Sequence, residues 1–217
     1  MEILPGRYIA ASAVDALWQE CSGILQQYHS KNPLHAGIKT AELRQKLCPN
    51  TDQAVADALL LQLCREGHIR RVAERFALSD FAIHLTKRQN NIRTKLLQTY
   101  AKAGIESPAT ADVMETFPQN ERADAKQVLE CMVTGGELVM LTPQICWHHK
   151  VYAEACQVAA QHFAENEFLT LGEMRDLLHT SRKYALALLE YYDKNRITKK
   201  DGDNRKLTSA EPDWGML

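Results

Sequence analysis

Apolar residues along this chain recur at helical spacing in short runs, and the runs themselves repeat. Three times a polar-capped short helix is followed by a turn, a longer helix, a Gly or Asn, and an Ile or Leu opening a short strand. The first copy has TAELRQKL from Thr40, a turn at Cys48-Pro49-Asn50, a helix from about Thr51 to Glu66, then Gly67 and two short strands in HIRRVAERFAL. The second has TADVMETF from Thr110, a turn around Pro118 to Asn120, a helix to Thr134, Gly135-Gly136, and ELVMLT. The third has TLGEMRDLL from Thr170, a turn at His179-Thr180, a helix from Ser181 to about Lys194, Asn195, and RITKKDGDNRKL.

Local signals agree best in the third copy. Ser181 or Thr180 suits an N-cap, and Ala185, Leu188, Leu189 and Tyr192 form one apolar stripe. Asn195 suits a left-handed C-cap, Ile197 starts a strand, and Asp201-Gly202-Asp203 marks a hairpin tip before Arg205-Lys206-Leu207.

A further helix must precede each copy to close a core. Val14–Tyr28, Asn90–Lys102 and Trp147–Phe163 are the segments with the required apolar residues: Leu25/Tyr28, Leu96/Leu97/Tyr100 and Val151/Tyr152/Ala155. Helix, helix-turn-helix and two-stranded hairpin make a winged helix. A solenoid of helical hairpins is the alternative, but it has no use for the recurrent strand and turn. The expected fold class is mainly α with small β wings, as tandem winged-helix (winged helix-turn-helix) modules.

Arg7-Tyr8-Ile9-Ala10-Ala11-Ser12 matches Arg75-Phe76-Ala77-Leu78-Ser79 in character. The chain is thus expected to open in the last strand of an earlier module and to be the C-terminal part of a longer protein. The expected division is 1–12 (end of that module), 13–84, 85–145, 146–210, and a tail over 211–217. Small polar interfaces between modules are expected to let them hinge.

Composition narrows this only slightly. The 217 residues are 45% hydrophobic and 24% charged, ordinary for a soluble protein, with no apolar run long enough for a membrane span and no secretory start. Six cysteines at 21, 48, 64, 131, 146 and 156 include no CxxC pair, and read as small buried hydrophobes in a reducing compartment.

Charge distribution says more than the net charge of -1. Over 51–67 the second helix region carries -2, and over 119–135 it carries -1. Between Thr180 and Leu207, Arg182, Lys183, Lys194, Arg196, Lys199, Lys200, Arg205 and Lys206 oppose Glu190, Asp193, Asp201 and Asp203, giving +4. A helix start offers free N–H groups and partial positive charge to a phosphate, and the wing can flank a second stretch of backbone. Alternation along a strand turns only half of each lysine or arginine pair toward a ligand. Tyr184 could stack on an exposed base or fill the core edge. This charge pattern does not separate DNA from RNA, and a plain solvated cluster is its bland alternative.

The segment TLGEMRDLLHTSRKYALALLEYYDKNRITKKDGDNRKL strongly resembles the terminal winged helix of the SelB family, the bacterial selenocysteine-specific elongation factors. Arg175-Asp176, Ser181-Arg182-Lys183-Tyr184, Leu188-Leu189-Glu190-Tyr191, Asp193, Thr198-Lys199-Lys200, Gly202-Asp203 and Arg205 carry the likeness. Upstream, His29-Ser30-Lys31-Asn32-Pro33-Leu34, Gly37 and Glu42-Leu43-Arg44 look like the opening of that family's second winged helix. The middle module matches in order and size.

The resemblance implies that the last module grips the SECIS hairpin of an mRNA beside a recoded UGA, reading a loop guanine and a bulged uridine. Its RNA-binding positions would be Arg182, Lys183, Tyr184, Arg196, Lys199, Lys200, Arg205 and Lys206. It further implies a cytoplasmic monomer whose missing N-terminal part binds GTP with Mg and selenocysteyl-tRNA and works on the ribosome. No GxxxxGK[ST] occurs in the sequence, so no cofactor and no GTP hydrolysis are expected of this fragment.

Other chemistry is not supported. Asp201-Gly202-Asp203 lacks the remaining ligand positions of a calcium loop. His148 and His149, expected at a helix start, point about 100° apart on a helix and make a poor metal pair. Glu165 and Glu167 near His162 lack a nucleophile. A DNA-binding regulator and a protein-binding winged-helix adaptor remain as rival functions.

Overall fold

In the computed structural model, which describes residues 2–72 and 74–215, the chain divides into two compact units, Met1–Leu85 and Thr86–Leu217. Met1, Ala73, Met216 and Leu217, which fall in the expected leading segment, first wing and tail, lie outside the described residues.

In the first unit a hairpin of β1 (Glu2–Leu4) and β2 (Arg7–Tyr8) leads into α1 (Ala11–Lys31). Then come β3 (Ile38–Lys39), α2 (Thr40–Leu47), α3 (Gln53–Arg65), β4 (Ile69–Val72) and β5 (Arg75–Leu78). Helix α1 outruns the apolar stripe of Val14–Tyr28 at both ends, where polar residues leave no periodic trace. Asp52 caps α3, its Oδ1 accepting from the Ala54 N–H at 3.0 Å. The three-stranded sheet runs β3-β5-β4. Strand β3 is two residues long, too short for a period-2 signature in the sequence. Val14, Cys21 and Leu25 of α1 close a core with Ile38, Leu43, Leu60, Leu63, Ile69 and Phe76.

The second unit starts with α4 (Lys87–Ala103), entered through a Thr86–Gln89 capping box. Helix α5 (Thr110–Glu115), a 3-10 turn at Gln119–Glu121, α6 (Arg122–Thr134), β6 (Leu138–Thr142) and β7 (Ile145–His148) complete one winged helix. The next comprises α7 (His149–Glu165), β8 (Leu169–Thr170), α8 (Leu171–Leu177), α9 (Arg182–Lys194), β9 (Thr198–Asp201) and β10 (Asn204–Leu207). Its sheet runs β8-β10-β9. A two-residue tip, Gly202-Asp203, joins β9 to β10, and Gly202 adopts φ 62° as such a tight hairpin requires.

Two expectations fail at the junction within this unit. Trp147 and His148 end a strand rather than open a helix, Trp147 pairing with Val139 and His148 with Leu138. A module boundary at 145/146 therefore cuts through β7. Ile145, Cys146 and Trp147 are all buried, and a short continuous apolar run does not distinguish strand from helix.

The interface between these two winged helices is apolar, not the polar, hinging one expected. Leu141, Ile145 and Trp147 lie in one buried cluster with Tyr152, Met174, Leu188 and Tyr192. Each such aliphatic or aromatic side chain contributes ~1.5–3 kcal/mol on burial. The Trp147 indole N–H donates to the Ile105 carbonyl at 2.8 Å, so even its polar atom is satisfied. Residues after β10 fold back: the Trp214 ring meets Tyr192 edge-on at 5.3 Å, and its carbonyl accepts from the Tyr152 hydroxyl at 2.7 Å.

All six cysteines are free thiols. Burial pushes Cys21 and Cys146 up to about 12. Among the described residues no helix is long and apolar enough to cross a membrane.

Candidate nucleic-acid interface

The start of α9 differs from the starts of its counterparts. Helix α3 opens on the Asp52 cap, and α6 follows a turn ending in Glu121, where Arg88 pairs with both Glu121 and Asp124, so neither start presents free cations beside an uncapped serine. At α9, Ser181 holds the N-cap position but its hydroxyl makes no capping bond, and Arg182 and Lys183 are exposed beside it. The first-turn N–H groups thus keep their partial positive charge next to two cations.

Tyr184 is not a free base platform. Its hydroxyl donates to the carbonyl of buried Ser107 at 2.8 Å, and the half-buried ring packs on the shared core. Lys183 Nζ sits 5.1 Å from that ring's centroid. Of the two sequence readings, the core-edge one fits the geometry.

Register sorts the wing residues. Lys199 lies opposite Lys206, and Lys200 opposite Arg205. Opposed residues share a face and neighbours alternate. Thr198, Lys200, Arg205 and Leu207 therefore share one face, and Lys199, Asp201, Asn204 and Lys206 the other. On the second face two like charges stand directly opposite, an arrangement that destabilises a sheet by up to ~1 kcal/mol unless an anion intervenes. Asp201 offsets Lys206 in part, at 3.6 Å.

Arg205 leaves the ligand-facing set. Its side chain is only 5% exposed, and its Nε donates to Asp193 Oδ2 at 3.0 Å. Alternation turns it inward, toward a half-buried carboxylate at the end of α9. The other carboxylate oxygen, Oδ1, accepts from the Thr198 hydroxyl at 2.6 Å. Reasoning from charge alone missed Asp193 and Thr198. Removing the Arg205–Asp193 pair leaves the excess over 180–207 unchanged at +4, now seven cations against three carboxylates.

The left-handed C-cap falls on Arg196, at φ 59°, while Asn195 keeps φ -88°. The same position holds Gly67 (φ 77°) and Gly136 (φ 76°) in the other two winged helices. The chain then closes with equivalent bonds: His68 N–H to Leu63, Glu137 N–H to Met132, and Ile197 N–H to Tyr192. A non-glycine residue pays ~1–2 kcal/mol for this conformation. Arg196 is exposed, and 14 residues at about 1.5 Å each set it roughly 21 Å along the helix from Arg182. Among the described residues, Arg182, Arg196, Lys199 and Lys200 form no ion pair.

No group of three or more His, Cys, Asp or Glu side chains among the described residues is arranged to hold a metal ion. His148 caps α7, its Nδ1 accepting from the Lys150 N–H at 3.2 Å. Burial, then its neighbours His149 and Lys150, depress its pKa.

Residues 23–78 and 161–207 each match a family described as elongation factor SelB, winged helix. A selenocysteine-specific elongation factor from Desulfomicrobium baculatum is 26% identical over 93% of this chain and 32% of its own length. One from Haemophilus influenzae is 21% identical over 87% of the chain and 30% of its own length. The chain thus spans about a third of the length of the curated relatives it matches. The mRNA-binding domain of E. coli SelB, solved in complex with SECIS RNA, is similar with a TM-score of 0.50 at 18% identity, covering 58% of this chain and all of that one. At that identity the likeness is one of fold. Two segments of the chain thus resemble SelB winged helices, and similarity to a selenocysteine-specific elongation factor runs along nearly its whole length.

Proposed function

We propose that this chain is the mRNA-binding arm of a selenocysteine-specific elongation factor, and that its last winged helix grips a SECIS hairpin. One observation carries the reading: among the described residues, the last module combines an uncapped recognition-helix start flanked by two exposed cations with a wing whose directly opposed lysines are only partly offset by Asp201. The similar E. coli domain was solved with SECIS RNA, which favours RNA as that anion. Arg182, Lys183, Lys199 and Lys206 are the proposed phosphate and base contacts, with Lys200 on the other face of the wing and Arg196 at the far end of the helix.

The fragment itself acts by binding, not by catalysis, as a monomer and without a cofactor. GTP with Mg, selenocysteyl-tRNA and the ribosome belong to the full-length, cytoplasmic factor, whose GTP-binding part would supply the phosphate loop that this sequence lacks. The Asp52 cap of α3 and the ion-paired start of α6 favour a spacer role for the modules they belong to, since neither offers a phosphate the free cations found at α9.

Titrating the chain with a short hairpin bearing a loop guanine and a bulged uridine tests this, with a scrambled loop of equal charge as control. Tight, loop-dependent binding that weakens steeply with salt is expected. Equal or better binding to duplex DNA would instead favour a DNA regulator. Salt-insensitive absence of binding would favour a protein adaptor.

A further inference from the structure

The three winged helices can be superimposed residue by residue through their equivalent helix-end bonds and wing registers. In that frame Asp193, Thr198 and Arg205 correspond to Cys64, Ile69 and Phe76 of the first and to Val133, Leu138 and Cys146 of the second. The position where helix meets wing is thus filled by a sulfur-containing or aliphatic-aromatic plug twice, and by a carboxylate, hydroxyl and guanidinium once. The polar version occurs in the module with the basic surface.

Its geometry is a clamp. Asp193 sits in the last turn of α9, Thr198 on the outgoing wing strand, and Arg205 on the returning one. The two oxygens of one carboxylate hold both strands, at 2.6 Å and 3.0 Å. Arg205 is enclosed and stands beside fully buried Leu169 of β8, its partner in the sheet.

Stability does not demand such a clamp, because replacing a buried ion pair with apolar residues of similar volume is often neutral or favourable. Two sister modules show that the apolar solution works in this fold. What the polar version adds is direction: an apolar plug tolerates sliding, whereas two charge-assisted bonds on one carboxylate fix angle and distance. The wing lysines ride on the strands so fixed.

Resting on the RNA-binding reading, we infer that Asp193, with Thr198 and Arg205, is a positioning group that sets the wing against α9 so that Lys199 and Lys206 meet the RNA backbone together with Arg182 and Lys183. A negatively charged residue then supports binding to a polyanion without touching it. Arg205 contributes through Asp193, not through a phosphate.

The test replaces the clamp with the first winged helix's own residues, Asp193→Cys, Thr198→Ile and Arg205→Phe together. A thermal melt close to wild type verifies folding, and affinity for the SECIS-type hairpin is then measured over a range of salt. The clamp predicts affinity lower by about tenfold or more. RNA still draws the loosened wing lysines into place, at the cost of ordering them, so every phosphate contact forms in the complex and the salt slope stays equal to wild type. Amide exchange of Lys199 and Lys200 in the RNA-free protein should become faster. Should the triple variant fail to fold, Thr198→Val removes one bond from the carboxylate without a charge change; it should weaken binding severalfold, and Thr198→Ser should restore it.

A folded variant that binds as tightly as wild type overturns the clamp. So does a slope shallower by about 0.7–0.9, which would make Arg205 a direct phosphate contact. A wild-type chain that binds no hairpin defeats the RNA reading itself, a result distinct from either of these.

Discussion

Replacing Tyr184 with Phe separates a structural tyrosine from an RNA-stacking one. The substitution removes a single hydroxyl, whose 2.8 Å bond reaches the Ser107 carbonyl across the junction of the last two winged helices. Ser107 is 2% exposed, so its carbonyl gains little solvation in compensation. A hydrogen bond of this kind contributes ~0.5–1.5 kcal/mol net, toward the upper end when the abandoned partner is buried. At about 2.1 cal/mol/K per residue, unfolding residues 86–217 carries an entropy of roughly 0.28 kcal/mol/K. A loss of ~1 kcal/mol therefore lowers the melting temperature of this unit by about 3–4 °C. The aromatic face survives, so any stacking on a base would survive with it, and hairpin affinity should match wild type. Calorimetry or circular dichroism reads the first quantity and a binding titration the second. A variant that melts like wild type but binds RNA severalfold more weakly would refute the assignment, because the hydroxyl would then be serving the ligand.

Lys199→Ala and Lys206→Ala should each reduce hairpin affinity and make the salt slope shallower by about 0.7–0.9 if each neutralises one phosphate; in RNA-free protein they should be neutral or slightly stabilising, since either removes one of two opposed like charges. His29 is stacked on Phe81 at 3.6 Å, with Nε2 accepting from the Leu78 N–H and Nδ1 buried without a partner. Burial, aided by Arg70, lowers its pKa against the opposing pull of Asp80. The unfolded chain then binds the extra proton first, so the stability of Met1–Leu85 should decline as pH falls below about 6.5 toward the depressed folded value. Denaturant melts of wild type and His29→Gln over that range should show the slope flattened in the variant. Glu173 accepts from the Thr170 N–H at 2.7 Å and from its hydroxyl, bonds that lower its pKa. Glu173→Gln should cost up to ~1 kcal/mol at neutral pH, discounted for its exposure, and the difference from wild type should vanish as acid protonates the carboxylate.

Much of the architecture is written locally and so was readable. TAELRQKL forms α2 over the same residues, and the apolar stripe of Ala185, Leu188, Leu189 and Tyr192 is the buried face of α9. Periodicity reports which side of a helix is buried, and turn residues report where the chain reverses; both depend on neighbours close in sequence. The charge excess near the last wing is readable for the same reason, since it is a sum over a short segment. The strand at Ile145–His148 was missed because burial on both faces erases its alternation.

The fate of individual polar groups was decided only in three dimensions. Arg205 and Lys206 are adjacent and equally basic in sequence. Pairing of β10 with β9 and β8 sends one inward to Asp193 and leaves the other on the opposite face. Tyr184 looks like a binding aromatic until Ser107, 77 residues earlier, comes within hydrogen-bonding distance. Arg196 looks like any surface cation until the helix-end geometry, glycine in both sister modules, puts it in the left-handed region. Sequence by itself determined the repeat, its helices and where positive charge gathers, because those arise from short-range spacing. Tertiary structure decided which charges are spent inside the protein, because that depends on partners the chain brings together only by folding.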